Sequence, residues 1–197
     1  MGLMERTRIN WHAKNRDLAE HFVEHTLMIS DVRCLLTAAL RDVPEISIHS
    51  WVSEGELRHD VVIEGPQHRS IVAPIIPDGS FILERPRPGG GKPLQAHCFV
   101  EADRSTMSGR TRFYNKLKAY WTFWRGGAYE ETYSRSVFRV LTVTKSSERR
   151  DNLRGVAQRV GDTPQDPILA MFWFATLPDS LDNPSVILAP IWRSGGD

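Results

Sequence analysis

The sequence predicts an α/β protein with a central mixed sheet flanked by helices. Three observations carry that reading. Apolar residues recur at helical spacing in three separate stretches, short β-branched and aromatic runs lie between them, and the two kinds of segment alternate along the second half of the chain. With 197 residues and 41% apolar content, the chain can bury the core of one domain, and collagen-like, disordered and disulfide-scaffold classes are excluded. No apolar run approaches the ~20 residues of a membrane span, and Met1 to Arg6 has no hydrophobic signal region, so a cytoplasmic protein with no membrane partner is expected. Cys34 and Cys98 form no C-x-x-C pair and read as buried, reduced thiols.

The elements follow in order. From Leu18 to Leu40, Leu18, Phe22, Ile29, Val32, Leu36 and Leu40 share a helical face, as one long helix or as two divided at Ser30-Asp31. Ile46–Val52, Val61–Ile63, Ser70–Ile76 and Ser80–Glu84 read as strands, with Pro77-Asp78-Gly79 as the turn into the last. Pro86–Pro93, with three glycines, is a hairpin loop returning into a strand over Gln95–Glu101. Thr106–Trp124 is an amphipathic helix with Phe113, Leu117, Tyr120 and Trp124 on one face. A strand at Val137–Val143, a helix at Ser147–Val160, a strand at Met171–Thr176 and a last strand at Val186–Ile191 complete the pattern.

The net charge of +1 conceals an asymmetry. Residues 104–159 carry 13 Lys and Arg against 4 Asp and Glu, leaving 12 against 20 elsewhere. A near-neutral chain can thus offer one cationic face to a polyanion, although a solvated surface of mixed charge gives the same composition.

Three motifs bear on chemistry. Gly89-Gly90-Gly91-Lys92 lacks both the following Ser/Thr and the following helix of a phosphate loop. His21-Phe22-Val23-Glu24-His25 matches the H-x-x-E-H pattern of inverted zinc peptidases, with His21 and His25 as ligands and Glu24 as base, but a hydrogen-bonded, core-facing His25 is the simpler account. The third is Asp78, followed 23 residues later by Glu101-Ala102-Asp103. A hairpin brings these carboxylates to one end of the sheet, where they can hold a hard divalent cation; the alternative is that Asp78 stabilises a turn and Asp103 caps a helix.

Pro77-Asp78-Gly79, the stretch Phe99-Val100-Glu101-Ala102-Asp103-Arg104-Ser105-Thr106 and Lys116-Leu117-Lys118-Ala119-Tyr120 together resemble the replication-relaxation family of plasmid and other mobile-element proteins. The likeness extends to His25, Trp51-Val52-Ser53-Glu54, Arg149-Arg150 and Ile191-Trp192, over about residues 20–193. It implies a domain resembling the PD-(D/E)XK nuclease fold. Members also carry an N-terminal winged helix, for which the roughly 20 residues before the first core helix are too few, so a single domain over 1–197 is expected.

By that resemblance Asp78 and Glu101 match the two acids that bind Mg²⁺ or Mn²⁺, and Asp103 stands where active nucleases usually have lysine. Either Lys116, beside the buried stripe of its helix, supplies the ammonium, or Asp103 is itself a ligand or base; a lysine that meets DNA phosphate or solvent is the alternative for Lys116. Arg104, Arg110, Arg112, Lys118, Arg149 and Arg150 are the expected DNA contacts, and His25, Glu54 and Tyr120 accompany the site. The expected activity is a DNA-binding protein with metal-dependent endonuclease activity at Asp78, Glu101, Asp103 and Lys116. A non-catalytic accessory factor in replication, mobilisation or transcription comes second, and a zinc peptidase third. Expected partners are DNA, replication or mobilisation proteins and, in a homodimer, a second copy of the chain.

Overall fold

A computed structural model describes residues 11–103, 110–163, 165–178 and 181–196, with side chains described from residue 22 onward except at Pro66 and Arg110. Helix α1 runs unbroken from Trp11 to Ala39. Ser30 does not divide it, because its hydroxyl donates back to the Thr26 carbonyl one turn earlier (2.8 Å) and leaves the helix intact. Strands β1 (Ser47–Ser53), β2 (His59–Glu64), β3 (Ser70–Ile75), β4 (Gly79–Arg85) and β5 (Leu94–Asp103) follow. Helix α2 (Arg110–Arg125) is stopped by Gly126-Gly127, where Gly127 takes the left-handed φ of 79° that a side chain would resist. A short helix α3 (Ala128–Tyr133), strand β6 (Arg139–Thr144), helix α4 (Ser147–Ala157) and strands β7 (Phe172–Thr176) and β8 (Arg193–Ser194) complete the chain.

The main sheet has the order β1-β4-β5-β6-β7-β8. Its centre, β5-β6-β7, is parallel, while β1, β4 and β8 join antiparallel. The expected central mixed sheet between helices is therefore present. The last strand differs from expectation: Pro184–Leu188 forms a 3-10 turn started by its proline, and the sheet closes instead on β8. Helix α3 and the separation of β2 and β3 into their own two-stranded sheet were not foreseen.

Two cores lie on opposite faces of this sheet. On one, Phe99, Val140, Phe172 and Phe174 meet α2 and α4 through Phe113, Leu117, Tyr120, Leu153 and Val156, with β2 and β3 adding Val61, Ile63 and Ile75. On the other, Phe81, Cys98, Val100 and Val143 meet Val32, Leu35, Leu36 and Ala39 of α1. Among the described side chains of α1, Met28, Val32, Leu35, Leu36 and Ala39 pack here, while Cys34, expected to be buried, is exposed because it lies off that stripe of the helix. Phe22, placed on the core face by its spacing, is 67% exposed because that turn of α1 lies away from the core residues of the sheet.

Candidate functional site

The site lies where the parallel strands β5 and β6 end. Side chains alternate across β5, so Phe99, Glu101 and Asp103 share the α2 face while Val100 and Ala102 turn toward α1. Asp78, in the turn before β4, is tied to the same strand end. Its backbone N–H donates to the Val100 carbonyl (3.0 Å), and its Oδ2 accepts from the Ala102 N–H (2.7 Å).

Each carboxylate is buried and each faces a basic side chain. Lys116 of α2 donates from Nζ to Glu101 Oε2, and the Tyr120 hydroxyl donates to Oε1 (2.7 Å), so one helical turn occupies both oxygens. Arg149, in the first turn of α4, grips Asp103 with two parallel hydrogen bonds (2.7 and 3.0 Å). His25 of α1 brings Nε2 to 3.4 Å from Asp78 Oδ1. The sequence expectation grouped Asp78, Glu101 and Asp103 around one cation. The structure brings Asp78 together with His25 and Glu54, whose ligating atoms lie within 4.8 Å of one another, and sets Glu101 against Lys116 and Asp103 against Arg149.

The electrostatics follow from burial and these partners. Burial pushes Glu101 up to about 7, and Asp78 pushes it the same way, against the pull of Lys116 and Tyr120. Burial acts upward on Asp78 too, but the His25 hydrogen bond, the Lys116 charge and the Ala102 N–H outweigh it and hold the carboxyl below its usual range. His25 is raised by its hydrogen bond to Asp78, against burial. Lys116 is raised because Glu101 and Asp78 together overcome its desolvation, and the Tyr120 phenol is raised by burial beside Glu101. Thr142 and Thr144, the β6 neighbours of Glu101 and Asp103, are buried with hydroxyls that make no hydrogen bond among the described residues.

The expected cationic residues divide. Arg104 lies outside the described residues, as does the side chain of Arg110. Arg112 is exposed, whereas Lys118 donates to the Val160 carbonyl (3.3 Å) with its ammonium 3.7 Å from the centre of the Trp121 ring. Arg149 serves Asp103, and Arg150 pairs with its neighbour Asp151 (2.9 Å). In the H-x-x-E-H stretch, Glu24 pairs with Lys145 (2.9 Å), His25 faces Asp78, and the side chain of His21 lies outside the described residues. The sequence reading missed Arg149 as the partner of Asp103; its place in the first turn of α4, after the helix-capping Ser146, becomes informative only once that helix lies against the end of β5.

The model of the replication-relaxation family matches residues 2–140, more than two thirds of the chain. The chain belongs to the replication-relaxation family. The match spans Asp78, Glu101, Asp103 and Lys116 and ends in β6, so the likeness at Arg149-Arg150 and Ile191-Trp192 lies beyond it. No curated protein and no solved structure matches the chain. Among the described residues no helix is long and apolar enough to cross a membrane.

A divalent cation, as the nuclease resemblance implies, fits the donor chemistry at Asp78. This carboxylate is ionised at neutral pH, one of its oxygens faces an imidazole nitrogen, and a second carboxylate stands nearby. Asp103 is a poorer donor, since Arg149 occupies both of its oxygens.

Proposed function

We propose that this replication-relaxation protein binds DNA of a plasmid or other mobile element and hydrolyses its phosphodiester bonds with the help of a divalent cation at Asp78. One observation carries the reading: Glu101 and Asp78 are buried at the carboxyl end of a parallel strand pair with the Lys116 ammonium held against Glu101 and within electrostatic reach of Asp78. Burying two carboxylates and an ammonium costs stability that well-packed apolar side chains would not, and such clusters concentrate where charge is used in chemistry. The arrangement also supplies what Asp103 cannot at the position usually held by lysine, because Lys116 brings an ammonium to Glu101 from the neighbouring helix.

In this reading the reaction is hydrolysis: the oxygen of water bonds to phosphorus, the ester P–O bond breaks and the proton of water ends on the leaving oxygen. Lys116 opposes the negative charge that builds on the phosphate. Glu101 holds the ammonium in place, and Tyr120 fixes the Glu101 carboxylate by bonding its other oxygen. A bound Mg²⁺ or Mn²⁺ supplies a more acidic water and offsets phosphate charge. Arg112 and Lys118 on α2 offer cations for the DNA backbone.

The second reading, an accessory factor that binds DNA without cutting it, draws on Asp103, an acid at the usual lysine position with both oxygens on Arg149. Incubation of the protein with Mn²⁺ and single-stranded, double-stranded or branched DNA separates the two. Cleavage lost in Asp78→Ala with DNA binding retained supports the nuclease; binding without cleavage on every substrate leaves the accessory factor.

A further inference from the structure

We infer that His25, Glu54 and Asp78 form a single cation site that takes a first-row transition metal such as Mn²⁺ in preference to Mg²⁺. This rests on the reading that a cation works at Asp78, and it names the other ligands and the class of metal.

The three residues come from separate parts of the fold: His25 from α1, Glu54 from the segment after β1, and Asp78 from the turn before β4. Their ligating atoms lie within 4.8 Å of one another, and His25 Nε2 stands 3.4 Å from Asp78 Oδ1. Two ligands each about 2.1 Å from one cation stand roughly 3.0 to 3.4 Å apart at octahedral to tetrahedral angles. The His25–Asp78 pair is thus already spaced for coordination. Glu54 is exposed and can rotate inward.

The rival arrangement, through Glu101 and Asp103, would require the cation to displace Lys116, Tyr120 and Arg149 from carboxylates that they already satisfy. At Asp78 it displaces one hydrogen bond. An imidazole nitrogen among the donors favours Mn²⁺ over Mg²⁺, which prefers oxygen alone. Glu54 and Asp78 also line a cavity of about 160 Å³ with Ser30, Ser53 and Arg33 on its wall. The remaining coordination positions can therefore reach water or a phosphate oxygen, with Arg33 as a second cation for that phosphate.

The test is Mn²⁺ binding by the full chain without DNA, followed by the loss of the free-Mn²⁺ electron paramagnetic resonance signal, with circular dichroism confirming the fold of each variant. One Mn²⁺ should bind; His25→Ala and Glu54→Ala should each weaken it by about 10-fold or more, and each by more than Glu101→Gln does. If His25→Ala unfolds, His25→Gln and Glu54→Ala carry the test. Mn²⁺ binding lost in Glu101→Gln but kept in His25→Ala and Glu54→Ala would overturn the proposal, as would no binding at all or displacement by an equal concentration of Mg²⁺. Because DNA is absent, this result is independent of cleavage: a protein that binds Mn²⁺ through these residues but cuts nothing refutes the nuclease reading alone.

Discussion

Lys116 of α2 donates to Glu101 at the end of β5, and the Tyr120 hydroxyl one turn on occupies the other oxygen of the same carboxylate. The pair joins the helix to the sheet through charges of which only 22% and 4% of the side-chain surface is exposed. Removing one partner of such a pair strands the other. Lys116→Met is expected to lower stability by about 3 kcal/mol, and adding Glu101→Gln to recover most of that loss. Urea unfolding of the two single variants and the double variant measures the coupling; additive losses would show that the pair contributes nothing as a pair.

The residues proposed to meet DNA are separable by what they hold in the free protein. Arg112 is exposed, so Arg112→Glu should weaken DNA binding and reduce the salt slope by about one phosphate contact without affecting unfolding. Arg149→Ala should instead destabilise the protein, because it leaves Asp103 buried without its guanidinium. Fluorescence anisotropy across a salt series, paired with thermal unfolding, reads both effects.

Acid stability is governed in part by His97, which is 3% exposed between β4 and α3, bonded to the Ser80 hydroxyl (2.8 Å) and the Tyr129 hydroxyl (3.0 Å). Burial pushes its imidazole down to about 4, with the charge of Arg135 acting the same way. Between its ordinary value of 6.5 and 4 the unfolded chain takes up a proton that the folded protein refuses, so stability falls as the pH falls through that window. The loss is about 3 kcal/mol. In His97→Gln, urea unfolding at pH 7, 5.5 and 4.5 should show a flatter slope than in the wild type; the same slope would remove His97 as the source.

Thr142 and Thr144 test whether the strand end is polar for structure or for function. Their hydroxyls are buried and make no hydrogen bond among the described residues, so Thr142→Val, which keeps the shape, should raise stability by about 1 kcal/mol. Thermal unfolding measures this. A clear loss of stability would mean that the hydroxyl has a partner in solution.

The sheet was legible because β5 and β6 are short apolar runs with turn residues around them, and α2 because Phe113, Leu117, Tyr120 and Trp124 repeat at helical spacing. The same spacing placed Lys116 beside the buried stripe, within reach of the carboxylates. Other features depended on distant parts of the chain. No local pattern says that Asp103 is claimed by Arg149, 46 residues away, because that pair exists only once α4 crosses the strand end. Helical spacing likewise put Phe22 in the core, but spacing reports a face and not whether a sheet lies opposite it. The terminal strand failed through Pro184, whose ring favours the start of a 3-10 turn where Val186 and Ile187 alone suggest a strand.

DNA cleavage at the strand end that holds Asp78 and Glu101, as proposed above, is tested by comparing two proteins. Wild-type protein and Asp78→Ala are incubated with Mn²⁺ and a set of single-stranded, double-stranded and branched DNAs, with cleavage read on a denaturing gel and binding measured in parallel. The expected result is cleavage by the wild type, its reduction by orders of magnitude in the variant, and DNA affinity retained or increased by the loss of a negative charge. Equal cleavage by both proteins, or binding by the wild type with no cleavage of any DNA, would contradict it.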